Sequence, residues 1–296
     1  MTTLTILGAG FSGQAIAEAF KAVTTDIAGT TRSAEKAARL GADGIRAILY
    51  DGQAIEETLA ERLRETTHLI QSIAPGKDGD PMLRPGVPPL TVLCPKLEWA
   101  GYLSTVGVYG DHGGAWVDEA TPLNPVSARS LERVEAEEGW LAAGTAAGLP
   151  VAVLRLSGIY GPGRNTFWNF EDGTARRLIK PGQVFNRIRV EDIGAASLFL
   201  ADGKHGGIFN ITDDEPAPPQ DIVAEAARLM GVAPPPEIAF ETAELSPMAR
   251  SFYGENKRVS NAKLKALGFV FAYPDYRVSL ADLWRDGRWR GHRNRT

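Results

Sequence analysis

Short apolar runs rich in β-formers alternate with stretches in which Ala and larger apolar residues recur at helical spacing, from the first residues to about residue 160. This is the order expected of parallel strands joined by covering helices. The runs LTILGA (4–9), DIAGTT (26–31), IRAILY (45–50), HLIQSI (68–73), AGYLSTV (100–106) and VAVLRLS (151–157) are predicted strands. Between them, GQAIAEAFKA (13–22), SAEKAARLGA (33–42) and AIEETLAERLRE (54–65) carry the helical period. The stretch TPLNPVSARSLERVEAEEGWL (121–141) begins with prolines and continues as a helix, with Arg129 and Arg133 one turn apart on one face. The fold class that follows is α/β, a doubly wound parallel sheet of the Rossmann type with a small C-terminal substrate domain.

Past Pro162 the chain turns to Gly, Asn, aromatic and basic residues; RVEDIGAASLFLAD (189–202) then returns to helix and GGIFNITD (206–213) to strand. Pro-rich DEPAPPQD (214–221) precedes the helix IVAEAARLMG, and VAPPPE (232–237) is a stiff connection before KRVSNAKLKALGF (257–269). The expected organisation is a dinucleotide-binding domain over 1–161, rejoined by about 184–212, and a small substrate domain from 162–183 and 213–296.

Composition narrows the partners. The 296 residues are 44% hydrophobic, enough for a sizeable core, and the formal charge of −4 gives no reason to expect nucleic acid or a membrane surface. A single cysteine, Cys94, excludes an intramolecular disulfide framework, and four scattered histidines offer no metal-ligand spacing. Met1 leads straight into a strand without a cationic leader, and no apolar run approaches the ~18 residues of a membrane span. A cytoplasmic protein with a small-molecule substrate is expected. The tail RDGRWRGHRNRT (285–296) holds five arginines and reads as a solvated end, with contact to a polyanion as the alternative.

The strongest local signal is TILGAGFSGQAIAEAF, which sets Gly8, Gly10 and Gly13 between the first strand and the first helix, with Phe11 and Ser12 between the last two glycines. Gly8 permits the tight turn, Gly10 lets the backbone approach a pyrophosphate, and Gly13 allows close packing of helix on strand. The helix N-terminus adds free N–H groups and a partial positive charge. The second strand ends AGTTRS, with Thr31, Arg32 and Ser33 where an NAD site would offer a carboxylate to the ribose. A guanidinium flanked by hydroxyls suits a 2′-phosphate, so NADP is favoured and NAD is the alternative, with Arg32 then a mere exposed helix-start residue. Asp51, after the third strand, is a candidate adenine contact, and Ile73, Ala74 and Pro75 in SIAP (72–75) fall on the expected cofactor path.

Two longer stretches, YLSTVGVYGDHGGAWVDEATPLNP (102–125) and VAVLRLSGIYGPGRN (151–165), are joined by RIRVEDIGAA (187–196) and GIFNITDDEP (207–216). In that order they resemble the extended short-chain dehydrogenase/reductase superfamily, NAD-dependent epimerase/dehydratase group. The resemblance implies a Ser or Thr at the end of the fifth strand that bonds the substrate oxygen, and a Tyr-x-x-x-Lys pair on the next helix that handles the proton and the nicotinamide ribose. It also implies a possible homodimer. Thr105 falls at the Ser/Thr position, with Ser104 a second candidate. Counting from Pro125, PVSARSLER puts Arg129 at the tyrosine position and Arg133 at the lysine position.

A guanidinium cannot cycle a proton near neutral pH, although it remains a fixed cation. Arg133 can keep the lysine's role toward the ribose, and the arginine pair can clamp an anion. The alternative pairs Arg129 with Glu132 and Arg133 with Glu137 on a solvated helix face. Tyr109 and Tyr160, in loops after strands, are substitute proton donors, and GPGRNTFWNF (161–170) is a candidate lid. Two functions remain open: an NADP-dependent oxidoreductase or epimerase acting on a small polar, sugar-like or anionic substrate, and a dinucleotide-binding sensor or regulatory protein without turnover.

Overall fold

The computed structural model describes residues 1–291; of the arginine-rich tail, positions 292–296 lie outside the described residues. In chain order the elements run β1 (Leu4–Leu7), α1 (Phe11–Phe20), β2 (Ile27–Thr31), α2 (Ala34–Ala42), β3 (Arg46–Leu49), α3 (Glu57–Glu65), β4 (His68–Gln71), α4 (Leu90–Leu93) and β5 (Trp99–Thr105). After a 3-10 turn follow β6 (Trp116–Val117), α5 (Ala128–Ala147), β7 (Val151–Leu156), β8 (Gly158–Tyr160), α6 (Thr166–Glu171), β9 (Arg177–Ile179) and β10 (Arg187–Arg189). The chain continues with α7 (Val190–Asp202), β11 (Gly207–Ile211), α8 (Pro219–Met230), β12 (Glu237–Ala239), α9 (Pro247–Phe252), β13 (Arg258–Val259), α10 (Ala262–Ala266) and α11 (Tyr276–Arg285).

Seven strands form one parallel sheet in the order β11-β7-β5-β4-β1-β2-β3, the Rossmann-like arrangement expected. The order reverses at β1 and β4, whose carboxyl ends therefore sit at the switch point where such sheets bind ligands. Every residue of β1, β2, β4 and β7 is buried, which is why these strands read as unbroken apolar or small runs rather than alternating ones. Each predicted sheet strand is present, with its bounds within two residues of those expected; β4 stops at Gln71, so Ile73, Ala74 and Pro75 are loop. Helix α1 starts two residues before the predicted position and buries Gly13, Ile16, Ala17 and Phe20, one face of a 3.6-residue period. Helix α8 starts at Pro219, since proline suits a first helical turn whose N–H groups have no partner. The stretch 257–269 is divided between β13 and α10.

The chain divides into two compact units: Met1–Val108, Pro125–Leu156 and Ile193–Phe209 in the first, and Tyr109–Asn124, Ser157–Asp192 and Asn210–Thr296 in the second. The sequence places 109–124, 157–161, 184–192 and 210–212 with the dinucleotide domain. They group with the second unit because β6 pairs with β13 and β10 pairs with β8. The first unit's core gathers Leu7, Tyr102, Trp140 and Val153 among others. The second unit's core is aromatic, with Phe167, Tyr276 and Trp289 at its centre. Phe167 is fully buried against Trp284 and Trp289, and Asn165 binds the Gly161 and Trp289 carbonyls, so the stretch 161–170 is docked into that core rather than forming a lid. Among the described residues no helix is long and apolar enough to cross a membrane.

Candidate functional site

The glycine loop has the geometry its spacing predicts. Gly8 sits at φ +86°, in the left-handed region, and donates its N–H to the Thr30 hydroxyl at 2.8 Å. A Cβ on Gly13 would lie 3.0 Å from the Gly8 carbonyl oxygen and 3.1 Å from Ile6, so helix and strand touch there. A Cβ on Gly10, by contrast, would meet nothing within 4 Å. The open space lies beside the N-cap of α1, where no side chain caps the helix and the first turn carries no acid. Phe11 and Ser12 open that turn and are half-exposed. The residues present thus fit a pyrophosphate: a helix N-terminus with its positive end open and a backbone that a ligand can approach.

The neighbouring strand ends complete this edge. After β4, the Gln71 carboxamide accepts from the Ile73 N–H at 3.1 Å and donates to the buried Asp80 at 2.9 Å, and Asp80 also accepts from the Met82 N–H at 2.9 Å. Burial pushes the Asp80 carboxyl up, with these donors opposing it. This network, which the sequence reading missed, holds Ile73 against Gly8 and presents Ala74, exposed, and Pro75, buried, beside the loop. After β2, Thr31 accepts from the Ser33 N–H, and the Ser33 hydroxyl caps α2 by accepting from the Lys36 N–H. Arg32 is exposed and without a partner among the described residues. Asp51 is exposed and accepts from the Gln53 N–H at 2.8 Å, an Asx turn that also leaves it open to solvent.

At the end of β5 the two hydroxyl candidates separate, as alternation along a strand requires. The Ser104 side chain is buried and donates to Glu137 at 2.5 Å; Glu137 in turn holds Arg155, with both partners almost fully buried. Ser104 is therefore a member of a closed interior network and is withdrawn as a catalytic candidate. Thr105, half-buried, accepts the Gly107 N–H at 3.1 Å and donates to nothing among the described residues. Its proton is left for another acceptor.

The two arginines differ as sharply. Arg133 donates to the Leu103 carbonyl and to the Tyr102 hydroxyl, 3.3 Å away, and lies over the Tyr102 ring. Burial pushes the Tyr102 phenol up to about 12 against the lowering influence of Arg133. Arg129 is exposed and makes no hydrogen bond or ion pair among the described residues. Neither surface pair is formed: among the described residues Glu132 holds no arginine, and Glu137 is committed to Arg155.

The substitute phenols are in the second unit. Tyr109 is fully buried and its hydroxyl donates to Asn210 at 2.8 Å. The Tyr160 hydroxyl is buried with Ser279 near but not in hydrogen-bonding geometry, and burial drives its pKa well above the usual phenol value. Neither offers an exposed hydroxyl from which a substrate could take a proton. A cavity of about 830 Å³ opens elsewhere, at the amino ends of the strands, rimmed by Asp26, Arg46, Glu61, Glu65 and Lys96. The buried Arg62 that lines it donates to Thr5, Asp26 and the Leu4 carbonyl, so the cavity is a charged surface hollow away from the glycine loop.

A profile of the NAD dependent epimerase/dehydratase family matches residues 96–211. Protein YeeZ of Escherichia coli (strain K12) is 31% identical over 289 residues, 93% of this chain and 97% of that protein. A functionally unknown conserved protein from Silicibacter pomeroyi DSS has a solved structure that is 43% identical, with a TM-score of 0.84 over 97% of this chain and 99% of that one. Two solved structures at 16% identity show likeness of fold alone. UDP-glucuronic acid 4-epimerase from Bacillus cereus, in complex with NAD, has a TM-score of 0.74 over 96% of each chain. Human epimerase family protein SDR39U1, with NADPH, has a TM-score of 0.72 over 96% of this chain and 100% of that one. Members of the family bind NAD or NADPH. The match over nearly the whole chain, together with the glycine loop and sheet order, means that this protein belongs to the NAD-dependent epimerase/dehydratase family.

Proposed function

We propose that the protein binds NADP and is an oxidoreductase or epimerase acting on a small polar substrate. The observation that carries this reading is Thr105: a hydroxyl at the carboxyl end of a central strand whose oxygen is held by the Gly107 N–H and whose proton is uncommitted. Thr105 donates that hydrogen bond to the substrate oxygen and fixes it. Arg129, unpartnered at the position of the family's tyrosine, stabilises negative charge that develops on the substrate. Arg133 is anchored on β5 by the Leu103 carbonyl and presents the rest of its guanidinium toward the nicotinamide ribose in place of lysine. The nicotinamide, when bound, carries the hydride. The exposed, unpartnered Arg32 at the end of β2 supports NADP over NAD.

One observation favours a second reading, a dinucleotide-dependent sensor or regulatory protein: no phenol stands on α5, and the hydroxyls of Tyr109 and Tyr160 are buried in the second unit. The test is NADPH binding by fluorescence followed by a screen of aldehydes, ketones and nucleotide sugars. Turnover that Thr105→Ala abolishes supports the enzyme; tight NADPH binding with no turnover across the panel supports the sensor. Arg32→Ala is expected to weaken NADPH by about tenfold more than NADH, a difference of about 1.4 kcal/mol, and equal losses would remove the 2′-phosphate assignment. Assembly as a homodimer belongs to the same proposal and is read by light scattering.

A further inference from the structure

In the second unit β8 and β10 pair in parallel, with Arg187 opposite Gly158 and Arg189 opposite Tyr160. The side chains of Tyr160, Arg187 and Arg189 therefore leave this ribbon on one face. Arg189 is saturated there by Glu191, Asp282 and Ser279. Arg187 is not. Its Nη1 donates to the Phe185 and Ala217 carbonyls at 2.9 and 3.1 Å, and its Nε and Nη2 make no hydrogen bond among the described residues.

Asp213 is tied to the same ribbon, its N–H donating to the Arg187 carbonyl at 2.8 Å. Its side chain is 1% exposed; among the described residues Oδ1 accepts only the Glu215 N–H, at 3.3 Å, and the buried Oδ2 has no partner. No ion pair or hydrogen bond joins this carboxyl to the Arg187 guanidinium, although each lies in the other's field. The Tyr160 hydroxyl, also buried and unbonded, lies in the field of both. A buried carboxyl and a guanidinium held near each other but unjoined leave hydrogen-bonding capacity unmet, which interiors rarely tolerate without a ligand or water.

We propose that Arg187, Asp213 and Tyr160 form an oxyanion subsite of the second unit, built for the carboxylate or phosphoryl group of a small ligand. The Arg187 Nε and Nη2, unbonded among the described residues, supply two parallel N–H donors, the geometry that matches such a group. The Tyr160 hydroxyl supplies a third, and the protonated Asp213 carboxyl a fourth. Burial pushes the Asp213 carboxyl up to about 8, with Asp214 and Glu215 adding to the shift and Arg187 opposing it, so the acid form is present at neutral pH. The other titratable groups facing Arg187 are Tyr253 and Tyr276, both neutral phenols in this range. Binding at this subsite needs no turnover; only the identification of its ligand with the substrate rests on the proposed function.

Calorimetric titration of the full chain with malonate and, separately, inorganic phosphate tests the subsite, with NADPH binding scored on the same samples. At least one anion is expected to bind at pH 6.5, and the arm that binds distinguishes the carboxylate from the phosphoryl source. Malonate affinity should fall up to about tenfold per pH unit above about 8, as Asp213 ionises. Arg187→Gln should weaken binding about 10- to 100-fold, the loss of charge-assisted hydrogen bonds. Arg187→Lys, which keeps the charge without the fork, should fall between. Asp213→Asn keeps a donor, so it should retain anion binding and lose the pH dependence. The proposal is overturned if neither anion binds a protein that still binds NADPH, if the folded Arg187 variants bind as the parent does, or if Asp213→Asn keeps the parent's pH slope. Loss of NADPH binding in the parent would instead count against the proposed cofactor.

Discussion

Two arginine–carboxylate neighbourhoods, one in each unit, differ in how far they satisfy themselves. In the first unit Arg155 and Glu137 are 2% and 3% exposed and joined by guanidinium–carboxylate hydrogen bonds of 2.7 to 3.2 Å, with Ser104 filling another lone pair. In the second, Arg187 and Asp213 are close in the chain's hydrogen-bond pattern and yet unjoined, with Oδ2 of the acid unmatched. A closed pair stabilises the fold by satisfying itself; an open one has capacity left for something else. The same contrast runs through the candidate site, between Ser104 and Thr105, Gly8 and Gly10, and Arg133 and Arg129.

The largest effect is expected where the closed pair is broken. Glu137→Ala strands a buried guanidinium and should lower unfolding free energy by about 3–5 kcal/mol, measured by urea denaturation. Asp213→Asn should do the opposite at alkaline pH. The acid's folded pKa, about 8, is raised above the ordinary carboxylate value of 3.8, so between those values the folded state holds a proton that the unfolded state has lost. Its contribution to stability is full below about pH 4 and falls as pH rises, by up to about 1.4 kcal/mol per pH unit, until it levels off above about 8. The Asn variant should lack that slope and melt higher than the parent at pH 8. Parallel stability–pH curves for the two proteins would mean that Asp213 ionises as an ordinary exposed acid.

How far the sequence could be read follows from the same distinction. The strands of the parallel sheet and the glycine loop were legible because they depend on local rules: unbroken apolar runs for strands buried on both faces, and glycine where backbone must turn or be approached. The Ser104–Glu137–Arg155 network was not, because it joins β5, α5 and β7 across residues whose spacing carries no period. Glu137 looked like a surface partner for Arg133 because helical spacing cannot say which face of α5 is buried when acids lie all around it. Asp80 and Thr30, which hold the loops of the dinucleotide edge, likewise follow from tertiary contacts. Asp213 closes the predicted strand 206–213 with nothing in its spacing to mark it, and only its burial sets it apart.

The glycines give the next test, smaller in energy. Gly8→Ala must hold a side chain at φ +86° and crowd Ile73, with the Cβ 3.0 Å from its Cγ1 and 3.1 Å from its amide nitrogen. It should cost about 1–2 kcal/mol of stability. Gly10→Ala meets no protein atom within 4 Å and should leave stability within about 0.5 kcal/mol of the parent. Its methyl instead occupies the space a pyrophosphate would enter, so NADPH affinity should fall by at least about tenfold, roughly 1.4 kcal/mol. A Gly10→Ala protein that binds NADPH normally would move the cofactor away from this loop.

The smallest effects, and the finest distinction, belong to the two arginines of α5. Arg133→Ala removes the hydrogen bonds to the Leu103 carbonyl and the Tyr102 hydroxyl, and should cost about 1–2 kcal/mol. Arg129→Ala removes an exposed side chain with no partner and should leave the melting curve within about 0.5 kcal/mol of the parent. Stability and function are then expected to part. If Arg129 stabilises charge on a substrate, its loss lowers kcat/KM in the untouched fold, while NADPH binding is unchanged. A lysine at 129 should recover part of the loss, because a fixed cation and not the planar fork is what the role requires. An Arg129→Ala protein with the parent's turnover would make this arginine a solvent-facing residue and return the question of charge stabilisation to Arg133, whose guanidinium is held on β5 by the Leu103 carbonyl.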